Sequence, residues 1–215
     1  MSILLLCTGK SLSPLEGVYT SREFDQAAAA ELSAWIEPYA GRKTDPSGRT
    51  VYVAEGALAR DTAAQLLTDC EAVTEPLLNE IPLRSFADTD RQYPAAVWKR
   101  KAAAQRKAGD ARQAESRADA RQRADRLIAS LEKAGGDCIL VTYPLFLAEL
   151  LDRLRAAGYV VQRSGLLQIQ PLERIVASRR EEHCGGCGHN CFLSNPGCGV
   201  GKEKAMRLQR SQKQL

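Results

Sequence analysis

MSILLLCTGKSLSP, residues 1–14, decides how the rest of the chain is read. An apolar run from Ile3 to Leu6 feeds Cys7-Thr8-Gly9-Lys10-Ser11, the pattern of a strand delivering a loop at its carboxyl end. Gly9-Lys10-Ser11 invites comparison with the nucleotide phosphate loop. That loop needs G-x-x-x-x-G-K-[ST], because the first glycine lets the backbone curl until several amides face one phosphate. Five residues before Gly9 stands Leu4, a strand residue, so the nucleotide reading fails and the strand ending at Cys7 needs another explanation.

Working outward, further strand-like runs occur at TVYVA (50–54), CILVTY (138–143) and YVVQ (159–162), with a terminal pair expected around LLQIQ and RIVAS. Helical patterns separate them. Ser21 to Tyr39 places Phe24, Ala27, Ala28, Leu32, Trp35 and Ile36 at helical spacing, and Ala57 to Ala72 does so with Leu58, Ala63, Leu66 and Leu67. Pro144 suits a first helical turn, followed by the stripe Leu147, Leu150, Leu151 and Leu154. Trp98 to Leu131 is rich in Ala, Arg, Gln and Lys and predicts two helices broken at Gly109-Asp110. Strands alternating with helices predict a three-layer α/β/α sandwich on a mostly parallel sheet over residues 1–178, followed by a small cysteine-rich module with a basic helix over 179–215.

Of 215 residues, 44% are hydrophobic, which suffices for one core and an appendage. No apolar run reaches membrane-spanning length. MSILLLCTG lacks a basic start and a small-residue cleavage site, so the expected location is the cytoplasm. The net charge of +4 is unevenly placed: Trp98 to Arg126 carries ten Lys/Arg against four Asp/Glu, and Gly199 to Leu215 five against one. The first run, interleaved with Asp110, Glu115, Asp119 and Asp125, reads as a solvated face. The second follows a metal-type knuckle and could meet a phosphate backbone, although no aromatic stacking residues accompany it.

With these elements in place, the order of segments resembles the histidine phosphatase superfamily, the phosphoglycerate-mutase-like proteins. That family opens with a strand running into Arg-His-Gly-x-Thr; here the strand runs into Cys7-Thr8-Gly9-Lys10-Ser11. Its Leu-Thr-x-x-Gly-x-x-Gln-Ala helix start is similar to Tyr19-Thr20-Ser21-Arg22-Glu23-Phe24-Asp25-Gln26-Ala27, and its Arg-Ala-x-x-Thr-Ala segment to Leu58-Ala59-Arg60-Asp61-Thr62-Ala63. Its Leu-x-Glu resembles Leu78-Asn79-Glu80, its Glu-Ser-x-x-Asp helix Glu115-Ser116-Arg117-Ala118-Asp119 through Arg123, and its strand into Ser-His-Gly Val141-Thr142-Tyr143-Pro144.

The resemblance implies a pocket of Cys7, Thr8, Gly9, Lys10, Ser11, Leu58, Glu80 and Tyr143, with the reactive residues replaced. Family chemistry uses one imidazole as nucleophile, two arginines and a second histidine to hold the phosphoryl oxygens, and a carboxylic acid to protonate the leaving oxygen. In this frame the nucleophile position is Thr8, the arginine positions are Cys7 and Leu58, and the second histidine position is Tyr143. Glu80 alone is retained, at the acid's place. The chain's two histidines, His183 and His189, lie near its far end, so no shift of register supplies the missing imidazoles. A phosphorylated small molecule or another anion, held by Lys10 and Ser11, is the ligand class such a pocket implies.

Cys7, Cys70 and Cys138 stand among apolar neighbours and read as small core residues. Cys184, Cys187, Cys191 and Cys198 are spaced C-x2-C-x3-C-x6-C within HCGGCGHNCFLSNPGCG. Four thiolates so close satisfy a tetrahedral Zn²⁺ or a [4Fe-4S] cluster, and the interspersed glycines let the chain close round the centre. Zinc is the first expectation, with His183 and His189 as substitutes for a thiolate; a cluster is the alternative. Three functions follow: an inactive phosphatase-like binding or scaffold protein with a metal-stapled tail, an enzyme with altered catalytic residues, or a redox or sensing module on a borrowed scaffold.

Overall fold

The computed structural model describes residues 1–163, 168–179 and 199–212, and the chain divides into two units, Met1–Ser178 and Arg179–Leu215. In the first, β1 (Ser2–Cys7), β2 (Val18–Tyr19), α1 (Ser21–Ser33), β3 (Thr50–Val53), α2 (Ala57–Leu66) and β4 (Ala72–Thr74) lead to a 3-10 turn at Pro76–Leu78. Then come β5 (Tyr93–Pro94), α3 (Ala95–Ala108), α4 (Arg117–Ala134), β6 (Cys138–Thr142), α5 (Pro144–Ala156), β7 (Tyr159–Gln162) and β8 (Arg174–Arg179). The described part of the second unit holds α6 (Gly199–Gln212), on which Lys202, Glu203 and Lys204 are exposed. No described helix is long and apolar enough to cross a membrane.

The fold is mixed α/β, with a six-stranded sheet in the order β4-β3-β6-β1-β8-β7 flanked by helices. β1, β3, β4 and β6 run parallel and β8 runs antiparallel to β1. Every residue of β6 is buried. That is why Cys138-Ile-Leu-Val-Thr142 shows no alternation: a central parallel strand is covered on both faces. β4, at the sheet edge, is exposed throughout.

Helix boundaries follow local chemistry at their starts and tertiary contacts at their ends. Thr20 caps α1 in a capping box: its hydroxyl accepts from the Glu23 amide at 3.4 Å, and the Glu23 carboxylate accepts from the Thr20 amide at 2.8 Å. The helix predicted to reach Tyr39 stops at Ser33, because the next residues turn to pair with the loop after β1. Leu12 N–H donates to Trp35 O and Glu37 N–H to Lys10 O, each at 2.8 Å, around a Ser11–Ile36 bridge. Ile36 is therefore buried, while Trp35, expected in the core, is 65% exposed. α2, predicted to reach Ala72, ends at Leu66, where Thr44 pairs with Leu67. Gly109, in the left-handed conformation at φ 75°, closes α3 at the expected break.

RIVAS lies in β8. The described part of LLQIQ, residues 168–170, is not a strand. Cys7 and Cys138 are core residues, whereas Cys70 is exposed. A second small core gathers Phe24, Leu15 and Trp98, with Trp98 Nε1–H donating to Tyr19 O at 2.9 Å; it anchors the start of α3.

Candidate functional site

Cys7 lies opposite Thr142 and Val53 opposite Val141, so β1, β3 and β6 end together on one edge of the sheet. Ligands of such sheets sit outside the carboxyl ends of the strands. A cavity of about 770 Å³ opens there, and Cys7, Thr8, Gly9, Lys10, Ser11, Leu58, Glu80 and Tyr143 all line it. Its volume is that of a small-molecule site, roughly 300–1,000 Å³.

The loop after β1 has its amides engaged internally. The N–H of Cys7 donates to Glu173 O at 3.0 Å, that of Thr8 to Thr142 O at 2.9 Å and that of Gly9 to Thr62 Oγ1 at 3.1 Å, leaving no cradle of free donors over these three residues. Thr62 holds this position by donating its own hydroxyl to Leu58 O at 2.7 Å. A Cβ on Gly9 would stand 2.9 Å from Ile36, so the close passage of the two segments requires glycine. Ser11 donates to Glu31 O and accepts from Ser13 N–H; Lys10 pairs with Glu37 at 3.2 Å, both side chains half exposed.

The side chains of Cys7, Thr8 and Leu58 are equally committed. Thr8 is buried. Burial, reinforced by Glu80 and Glu173, pushes the Cys7 thiol up to about 12, so at neutral pH it is a neutral core group and not a thiolate. Leu58 occupies the first turn of α2 as an apolar wall.

Tyr143 and Glu80 fill the two helix starts that face the cavity. Tyr143, buried, stands over the start of α2, where a Cβ on Gly56 would collide with its hydroxyl oxygen. The phenol thus sits over the residue that caps α2, and burial raises its ionisation to about 12. The Glu80 carboxylate accepts from Ile81 N–H at 2.9 Å, Leu145 N–H at 3.2 Å and Phe146 N–H at 2.9 Å, capping α5. Desolvation nevertheless lifts it to about 7 against those favourable bonds. Free helix N-termini are anion seats; here each is occupied by an oxygen of the chain itself.

Arg123 holds Glu80 in place, a role sequence reading missed. Its Nη1 donates to Leu77 O at 2.9 Å and Asn79 O at 2.6 Å, while Nε and Nη2 grip Glu115 at 2.9 and 2.8 Å, and the guanidinium lies 4.0 Å from the Phe146 ring centroid. The motif frame named Glu115 and Arg123, but nothing in it shows that Arg123 pairs with Glu115 and grips the carbonyls of Leu77 and Asn79. The charge run from Trp98 to Arg126 is likewise not a plain solvated face: Lys99 and Arg106 line the cavity, and Glu149 is a buried carboxylate within 3.4 Å of Arg106, Arg117 and Arg121.

Cys184, Cys187, Cys191, Cys198, His183 and His189 lie outside the described residues, and among the described residues no group of side chains could hold a metal ion.

No protein-family model and no curated protein sequence matches the chain. Among solved structures, it is similar to a mycobacterial hydrolase 1 at 19% identity and TM-score 0.49, covering 89% of this chain and 94% of that one. It is also similar to the product of an open reading frame of Mycobacterium tuberculosis, at 16% identity and TM-score 0.48, covering 81% and 89%. A third likeness is to a phosphoserine phosphatase variant of Entamoeba histolytica solved with phosphoserine, at 15% identity and TM-score 0.45, covering 72% and 80%.

Proposed function

We propose that this chain is a histidine-phosphatase-like binding or scaffold protein that does not transfer phosphoryl groups. The observation that carries the reading is the self-occupied floor of the cavity. Tyr143 covers the start of α2, Glu80 caps α5, and the loop amides of Cys7, Thr8 and Gly9 bond to the chain itself. Phosphoryl transfer draws its rate from preorganised donors aimed at the transferring oxygens and from an activated nucleophile. A neutral Cys7 thiol, a buried Thr8 hydroxyl and Leu58 supply neither. Incubation of the full chain with p-nitrophenyl phosphate and with phosphoserine tests this. The expected rate equals that of buffer, and turnover abolished by Glu80→Gln or Thr8→Ala overturns the reading.

One observation favours the second reading, an enzyme with altered residues: Glu80 titrates near 7, where a general acid works best. The same assay decides it. For the tail, the spacing of Cys184, Cys187, Cys191 and Cys198 supports one bound Zn²⁺, which would close that loop structurally. Metal analysis with an absorption spectrum is expected to give one zinc per chain and no colour. About four irons per chain with a broad visible band would instead make it a cluster protein.

A further inference from the structure

The polar groups round the cavity fall into two sets. Two carboxylates at its edge have oxygens engaged: Glu31 Oε1 accepts from Leu15 N–H at 2.9 Å, and Glu80 accepts from three amides. On α3 one cation is unpaired among the described residues and the other holds a single long contact. Lys99 and Arg106 line the cavity on either side of Ala103, at the i, i+4, i+7 spacing that puts three residues on one helix face, and the alanine leaves room between the two cations. Lys99 is half-buried and has no ion-pair partner among the described residues. Arg106 is held to Glu149 by one contact of 3.4 Å, and its Nη1 is buried with no hydrogen-bond partner among the described residues. A buried donor without an acceptor is a costly arrangement, and the guanidinium that carries it belongs to a residue of the cavity wall. The rest of the surface is mainly apolar, with Leu32, Leu58, Ile81, Leu83, Leu145 and Ile169 contributing.

We propose that the cavity takes an amphipathic anion, a molecule with one carboxylate or phosphate group and an apolar body, whose charged end is received by Lys99 and Arg106 on α3. This rests on the non-catalytic binding reading and names its ligand class. The displacement matters chemically. An anion seated on α3 lies against charged side chains instead of the strand and helix ends where phosphoryl chemistry would need it, so it is held without being activated.

The test is calorimetric titration of the full chain with octyl phosphate, octanoate, octanol and octylamine. Octyl phosphate or octanoate is expected to bind one to one, and whichever is tighter identifies the headgroup. Octanol should bind at least about tenfold more weakly, the value of one charge-assisted hydrogen bond. Lys99→Gln, which removes no hydrogen bond or ion pair within the described protein, should weaken the anions by about the same factor and melt with the wild type. Lys99→Glu should turn the preference toward octylamine, an effect that general loss of structure cannot produce. Equal binding of octanol, undiminished anion binding by Lys99→Gln, or no binding by any probe overturns the proposal. Hydrolysis of octyl phosphate with its Lys99 dependence intact would sink the non-catalytic reading and leave the α3 seat standing.

Discussion

The floor and the wall of the cavity treat their polar groups in opposite ways. On the floor, Tyr143 sits on the start of α2 and Glu80 on the start of α5, and the first amides after β1 donate to Glu173, Thr142 and Thr62. On the wall, α3 presents, among the described residues, Lys99 without a partner and an Arg106 with one buried nitrogen unbonded. A helix start filled by a neighbouring side chain gives stability and excludes an anion; a cation left unpaired costs stability and invites one. The difference separates a scaffold element from a recognition element within one cavity.

Breaking the floor should cost most. Arg123→Ala removes the donors held by Leu77 O, Asn79 O and Glu115, leaving a largely buried carboxylate alone. A loss of about 3–5 kcal/mol is expected in urea unfolding, with Arg123→Lys recovering little because it lacks the planar fork. A loss under about 1 kcal/mol, the range of an exposed ion pair, would mean that the Glu80 loop does not depend on this link.

Gly56→Ala comes next. Its Cβ would collide with the Tyr143 hydroxyl, and overpacking of this kind costs about 1–3 kcal/mol. Tyr143→Phe in the same chain should return part of that loss, a non-additive result read from a double-mutant cycle. Simple additivity would separate the phenol from the start of α2.

A third test sharpens the comparison through pH, with an effect spread over several pH units. Glu80 sits at about 7 in the folded chain against an ordinary value of 4.5, so between these values the folded state holds a proton that the unfolded state has released. Its contribution is therefore greatest below about 4.5 and declines as pH rises toward 7, by at most about 1.4 kcal/mol per unit. The stability of the wild type minus that of Glu80→Gln should fall across this window. A difference that stays flat would mean the carboxyl titrates alike in both states.

The strands that carry the floor were legible because a covered parallel strand is a continuous apolar run, as in Cys138 to Thr142, and Gly109 announced the break between α3 and α4. The ends of α1 and α2 were not legible. Helical spacing continues through Trp35 and beyond Leu66, and pairing with distant segments overrides it. Residue types set Cys7, Thr8, Leu58 and Tyr143 at the places where the resembled family carries its reactive groups. That the Tyr143 hydroxyl lies above Gly56 depends on how β6 and α2 pack, and no local pattern encodes it. Lys99 and Arg106 were hidden for a different reason. In a run of alternating charges, cations facing a cavity and cations facing water have the same sequence signature, and only the aromatic packing of Trp98 turns this helix inward.

The most direct test of the self-occupied floor is amide-resolved nuclear magnetic resonance of the full chain during titration with inorganic phosphate. The amides of Leu145 and Phe146, already bonded to Glu80, and that of Ala59, in the helix start that Tyr143 covers, are expected to keep their positions throughout. Saturable displacement of those resonances would show that phosphate takes the helix starts, and would contradict the account.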